Sequence, residues 1–248
     1  MNSLRACWRL LRAVVHAVHG LAVVVLRLPG LDEAGRQARV QWWSAKLLRL
    51  LGIDLRATGQ FRPGAKLIVA NHVSWLDIIA VHAICPQARF VSKADVQGWP
   101  LLGRLVAAGG TLYIQREKRR DALRAVHEMA EALRAGETVA VFPEGTTGEG
   151  HGLLPFHANL LQAAIATEVP VQPVAVRYAD DDHAVSPAAA WVGETTLARS
   201  MWCIARARGL RATLRILPAM ASDHADRRAL AARLRDTIAE ALSTEGAA

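Results

Sequence analysis

Short unbroken apolar runs alternate along this chain with longer segments in which apolar residues return every third or fourth position. The segments Leu67–Ala70, Ala88–Ser92, Thr111–Gln115, Thr138–Phe142, Val171–Tyr178 and Arg211–Leu217 read as strands, with Lys66 opening the first and Ile53–Thr58 as a further edge strand. Leu67–Ala70 has no polar side, which predicts a central strand covered on both faces. Between the strands, Trp75–Ile84, Leu101–Ala108, Arg119–Ala135, His157–Thr167 and Thr196–Ala207 carry helical periodicity, and Asp223–Leu242 is the last helix. Gly136 is placed to close the helix before it, and Asp223 or Ser222 to cap the last one. Strand and helix in strict alternation predict an α/β fold: a mostly parallel central sheet flanked by helices on both faces. The acidic loop Asp180–Pro187 reads as a solvated, flexible tip.

The first 51 residues follow a different pattern. Arg5, Arg9 and Arg12 precede an apolar run from Ala13 to Leu28 that His16, His19 and Arg27 interrupt. That run is shorter than the ~20 residues a membrane-crossing helix needs. It predicts a helix lying in the membrane interface, with a single-pass anchor from Leu4 as the alternative. Pro29-Gly30 breaks it, and a second amphipathic helix follows over Glu33–Leu51, closed by Gly52. The chain therefore divides into membrane-associating helices over 1–51 and an α/β domain over 52–248.

Composition supports contact with lipid. Hydrophobic residues make up 52% of 248 and the formal net charge is +8. Mean hydropathy is +0.17 and the isoelectric point about 10.2. A basic balance suits nucleic acid or an anionic membrane. With two Tyr, four Phe and no interleaving of basic with aromatic residues, nucleic acid is not expected, whereas seven Trp suit an interface with lipid. The cysteines Cys7, Cys85 and Cys203 are odd in number and widely spaced, which predicts reduced, structural thiols in a cytosol-facing protein. No Gly-x-Ser-x-Gly, phosphate-binding Gly loop, Cys-x-x-Cys or His-Glu-x-x-His occurs, so a serine nucleophile, a nucleotide cofactor and zinc are not expected.

The chemistry concentrates in Asn71-His72-Val73-Ser74-Trp75-Leu76-Asp77, at the end of the Lys66–Ala70 run. On one helix, residues five apart point roughly 140° from each other. Ser74 with Asp77 forms a capping-box pattern that starts a helix near Trp75, which leaves His72 in the turn before it. The imidazole can then fold back onto Asp77, giving a general base with an orienting carboxylate. A turn histidine and a capping acid with no chemistry fit the same seven residues. A second constellation, Val139 to Thr147, ends a strand at Pro143 and places Glu144 and Gly145 at the strand's C-terminal end, where α/β sheets hold ligands.

Taken together, Asn-His-x-x-x-x-Asp and the later Phe-Pro-Glu-Gly resemble the glycerolipid acyltransferase family, which includes 1-acyl-glycerol-3-phosphate acyltransferases. Gly110-Thr111-Leu112-Tyr113-Ile114-Gln115-Arg116 and Val169-Pro170-Val171-Gln172-Pro173-Val174-Ala175-Val176 are similar to two further blocks of that family, in the same order. Phe156-His157-Ala158-Asn159 departs from the family's Phe-Lys-x-Gly. The resemblance implies transfer of a fatty acyl group from acyl-CoA or an acyl carrier protein thioester, with no bound cofactor and no metal, to a lysolipid hydroxyl. The leading acceptor is 1-acyl-sn-glycerol-3-phosphate. A lyso-ornithine lipid or another lysophospholipid is the alternative, and a non-catalytic basic membrane-binding protein is the reading from another class. His72 is then the base and Asp77 its partner, and Glu144, Gly145 and Thr146 help hold the acceptor. Arg116 is suited to an acceptor phosphate or carboxylate by its fork of donors, with Lys93 as a further phosphate contact. Backbone N–H groups of the His72 turn or of Gly145 are candidate oxyanion donors. The expected location is the cytoplasmic face of the cell membrane, on an anionic surface.

Overall fold

The computed structural model describes residues 2–93, 98, 102–114 and 119–244. Seven strands, β1 (Asp54–Thr58), β2 (Lys66–Ala70), β3 (Ala88–Lys93), β4 (Leu112–Ile114), β5 (Thr138–Val141), β6 (Val171–Ala179) and β7 (Arg211–Ile216), form one sheet in the order β1-β7-β6-β2-β5-β3-β4. Every neighbouring pair is parallel except β6 with β7. β1 is an edge strand and β2 the middle one, as their apolar patterns predict.

Side chains alternate across a strand, so each apolar run feeds two cores. Ile68, Ala70, Ala140, Val174, Val176 and Tyr178 face one way, against α2 (Glu33–Leu51), α3 (Leu76–Ile84) and α7 (Leu197–Arg206). Leu67, Val69, Val139, Val141 and Val171 face the other, against α5 (Arg119–Arg134), α6 (Gln162–Thr167) and α8 (Arg227–Thr244). α4 (Leu102–Ala108) links β3 to β4. This is the mostly parallel, two-sided α/β fold that the alternation predicts.

Three segments away from the β2 turn differ from the sequence reading. The last helix begins at Arg227, and Asp226 caps it by accepting from the N–H groups of Arg228 and Ala229, at 3.0 and 2.9 Å. Ser222 instead donates to the carbonyls of Ala164 and Val169, a tertiary bond that takes its hydroxyl away from any cap. The segment from His157 opens as a 3-10 turn over Ala158–Leu161 and becomes α-helical only at Gln162. The loop from Asp180 is not a simple solvated tip. Asp180 and Ser186 are buried, and the carboxylate accepts from Ser186, His183 and the Asp182 N–H. Burial pushes that carboxyl upward, but these donors outweigh it and hold it below the usual range.

The N-terminal helices pack against this body. α1 (Asn2–Leu26) docks through Ala6, Ala13 and His16, which are buried on one face. Arg9 donates to the carbonyls of Ala205 and Ala207, at 3.1 and 3.0 Å, satisfying the open end of α7. Trp43 of α2 lies so close to Gly20 that a Cβ there would sit 2.2 Å from its indole nitrogen, so α1 can approach only with glycine at this position. A 3-10 turn at Leu28–Gly30 separates the two helices. α2 has the predicted bounds because Asp32 caps its start, accepting from Gly35 N–H, and Gly52 ends it in the left-handed conformation at φ 81°. Leu47, Leu48 and Leu51 of α2 join the core over α3.

Candidate active site

The site begins where β2 runs out. In a parallel sheet neighbouring strands end at the same edge, and the pairing Val69↔Val141, carried three residues onward, brings His72 level with Glu144. Alternation places His72 on the face of Ile68 and Ala70, toward α3. Asn71, on the opposite parity, locks the turn to β6: its amide donates to the Val176 carbonyl at 2.9 Å and accepts from the Val176 N–H at 2.7 Å. Two further contacts hold the turn, Gly148 N–H to the His72 carbonyl at 2.8 Å and Trp191 N–H to the Val73 carbonyl at 3.0 Å.

His72 Nδ1 lies 2.7 Å from Asp77 Oδ2. Asp77 is fully buried, and the same oxygen accepts from the N–H groups of Val73 and Ser74, at 2.7 and 2.9 Å. Its other oxygen accepts from the Tyr178 hydroxyl at 2.8 Å. An ionised carboxylate only accepts, so Nδ1 carries the proton and Nε2 presents its lone pair. The imidazole lies flat on Phe142, with ring centroids 3.9 Å apart and planes 6° from parallel. Two partners therefore fix the ring in its plane and about its axis.

Tyr178 is fully buried beside a carboxylate, and that burial together with the charge and hydrogen bond of Asp77 holds its phenol well above the ordinary range. It stays protonated and stays a donor. Neither Tyr178 nor Phe142 is among the site residues that the sequence predicts. The available signal is a lone phenol near the end of β6, in phase with Val174 and Val176.

Glu144 is 4% exposed. One oxygen accepts from the His72 N–H at 2.7 Å and the other from the Leu154 N–H at 2.8 Å. Burial is the main influence on this carboxyl and raises it, although the two N–H groups and His72 oppose the shift. Both oxygens thus face the chain itself. Gly145 follows in the left-handed conformation at φ 72°, and Thr146 is exposed next to it. Thr147 donates to the Trp191 carbonyl, tying this loop to the segment that also holds Val73.

The helix after the turn starts at Leu76, one residue later than predicted, and only half of the capping box forms. Asp77 reaches back to the Ser74 N–H, but the Ser74 hydroxyl is buried and has no hydrogen-bond partner among the described residues. The N–H groups of His72, Val73 and Ser74 are all committed to carboxylates, and that of Gly145 to the Phe142 carbonyl at 3.1 Å. These four N–H groups are therefore not offered to an oxyanion. Lys93 ends β3 at the edge that carries His72 and Glu144. Arg116 lies outside the described residues.

A family model described as Acyltransferase matches residues 54–177, half of the chain, and takes in both constellations. The chain belongs to the acyltransferase family. Among relatives of this acyltransferase is a lyso-ornithine lipid O-acyltransferase of Pseudomonas aeruginosa, 36% identical over 87% of this chain and 83% of that one. A 1-acyl-sn-glycerol-3-phosphate acyltransferase of Neisseria meningitidis is 35% identical over 84% of this chain and 82% of its own. The crystal structure of the 1-acyl-sn-glycerophosphate acyltransferase PlsC from Thermotoga maritima superposes with a TM-score of 0.75 at 20% identity, over 100% of this acyltransferase and 97% of that chain. That likeness is one of fold.

Proposed function

We propose that this acyltransferase moves a fatty acyl group from an acyl thioester, acyl-CoA or acyl carrier protein, to the free hydroxyl of a lysolipid at a membrane surface, with 1-acyl-sn-glycerol-3-phosphate as the acceptor. The observation that carries this reading is the His72–Asp77 pair, held at 2.7 Å with Nε2 left as the free ring nitrogen. Nε2 takes the hydroxyl proton as the acceptor oxygen attacks the thioester carbon. The tetrahedral adduct collapses, the carbon–sulfur bond breaks, and the imidazolium returns its proton to the departing thiolate. The matched stretch supplies no paired serine or cysteine nucleophile, so transfer is direct, between two bound substrates. Asp77 positions the ring and balances the transient imidazolium. Glu144 positions the His72 backbone, and Gly145 and Thr146 line the acceptor side. Lys93 and Arg116 supply the charge for an acceptor phosphate.

The membrane side of the proposal rests on α1. Its outward face presents Leu4, Trp8, Leu11, Val15, Val18 and Leu26, each more than half exposed. Its opposite face is tied to α2 and α7, which supports a helix lying in the interface, and in this reading the active domain sits at the cytoplasmic surface.

A lyso-ornithine lipid is the second acceptor reading, favoured by the P. aeruginosa relative. The test is transfer of labelled acyl groups by membranes carrying wild type or His72→Ala, with both lysolipids as acceptors and both thioesters as donors. Transfer to 1-acyl-sn-glycerol-3-phosphate, reduced by about 10²–10⁴-fold in the variant, is the expected result. Transfer only to the amino-acid lysolipid replaces the acceptor and keeps the mechanism. Full activity of the variant removes His72 as the base.

A further inference from the structure

Helical spacing gives α1 and α2 adjoining surface stripes that the acyl-transfer site does not use. On α2, Trp42, Lys46, Arg49 and Leu50 share one side; on α1, Trp8, Leu11, Arg12 and Val15 do. Where the stripes meet they border two adjoining open grooves, of about 440 and 530 Å³. Arg12, Lys46 and Leu50 line both. The larger groove is mainly apolar, walled by Trp8, Leu11 and Val15, and the smaller is bounded by Arg49 and Trp42.

The charge in this place is one-sided. Arg12, Lys46 and Arg49 converge from two helices, and none of them is in an ion pair among the described residues. α1 contains no acidic residue, and the only one in α2 is Glu33, at its far N-terminal end. Lys46 rests on the face of Trp42, at 4.6 Å, and Arg12 lies 6.0 Å from the ring of Trp8. The aromatic rings thus hold two of the cations without neutralising them. Three uncompensated cations repel one another, and a bound anion removes that cost.

We infer that this groove binds one molecule of an anionic phospholipid, its phosphate against Arg12, Lys46 and Arg49 and one acyl chain along Trp8, Leu11 and Val15. A free phosphate would use the cations and leave the apolar wall unfilled; a zwitterionic lipid would fill the wall but bring its own positive charge to the cations. The bound lipid bridges α1 to α2, and α2 packs on α3, the helix that carries Asp77. The inference takes the interfacial placement of α1 from the preceding section and is independent of acyl transfer.

The test uses the full chain in an uncharged detergent, with no acyl donor present. Spin-labelled phosphatidylglycerol and phosphatidylcholine with identical chains are titrated in, and immobilised label is read by electron paramagnetic resonance. Phosphatidylglycerol is expected to saturate at one molecule per chain, with phosphatidylcholine left mobile over the same range. Removing cations weakens binding by about fivefold each, so roughly 25-fold for Lys46→Gln with Arg49→Gln. Arg12→Gln, on the other helix, is measured separately and should lose about fivefold. Equal immobilisation of the two lipids, binding without saturation, or unchanged affinity in both variants overturns the proposal. Displacement of the label by equimolar inorganic phosphate also overturns it, because the site then takes phosphate without the chain. Flotation with phosphatidylglycerol vesicles checks membrane attachment independently: a chain that floats but immobilises no lipid loses the groove and keeps the surface helix.

Discussion

Replacing Glu144 with glutamine isolates its part in the site. The wild-type carboxylate accepts two N–H groups, of His72 at 2.7 Å and Leu154 at 2.8 Å. An amide of the same shape can accept only at its oxygen, so in either orientation its NH₂ faces an N–H group. One hydrogen bond to a charged acceptor is lost, worth about 1.5–3 kcal/mol, and one buried N–H is left unmatched, at about 1–3 kcal/mol. Local movement relieves part of the sum, which leaves a loss of about 3 kcal/mol. For a chain of this size that lowers Tm by roughly 6–12 °C. The movement is the functional effect: the His72 backbone shifts, and a misplacement of about 1 Å costs on the order of 10² in rate. The assay is kcat and KM for both substrates, beside a thermal melt, on Glu144→Gln. The expected pattern is a fall in kcat with either KM changed by less than about threefold. A normal kcat with a raised acceptor KM would refute the bracing role and return Glu144 to direct contact with the acceptor. A normal melt with normal kinetics would refute the geometry itself.

Tyr178→Phe removes the hydroxyl that donates to Asp77 Oδ1, and should lower stability by about 1.5–3 kcal/mol, read as a shifted denaturation midpoint with unchanged slope; an unshifted midpoint would deny the bond. The raised Glu144 carboxyl sets a direction with pH. Across the window from its ordinary value up to its raised one the folded chain holds a proton that the unfolded chain has released, so stability falls as pH rises. Glu144→Gln should lack that component, and parallel stability–pH curves for the two proteins would contradict it. Leu11→Glu with Val18→Glu places charge on the outward face of α1 and should reduce co-flotation with lipid vesicles while leaving the melting temperature within about 2 °C, since both positions are exposed in the folded chain. Undiminished flotation would place the membrane contact elsewhere.

Local determinants made most of the fold legible. α2 has the bounds its sequence predicts because its determinants are local: the Pro29-Gly30 break before it, Asp32 capping its start and Gly52 ending it. The last helix was misplaced because Ser222, a suitable cap by type, is drawn to carbonyls more than fifty residues away. The same division runs through the site. His72 and Asp77 share one turn, and their spacing with a helix start after His72 allows the contact to be read locally. Tyr178 meets Asp77 across 101 residues of chain, through the pairing of β6 with β2, and no local pattern specifies that neighbour.

The acids of the site carry a second meaning that sequence spacing does not reveal. A buried strand that ends in a buried turn leaves consecutive N–H groups with neither a ladder partner nor water, and each would cost about 1–3 kcal/mol if left bare. Here three in a row, at His72, Val73 and Ser74, are taken up by Glu144 and Asp77. The carboxylate that orients the imidazole, with the one that holds its backbone, is therefore also what allows the turn to be buried, and residues that look like chemistry are a folding requirement of that turn. A site built this way cannot spend those N–H groups on an oxyanion. Stabilisation of the tetrahedral adduct is left to groups other than these three N–H groups.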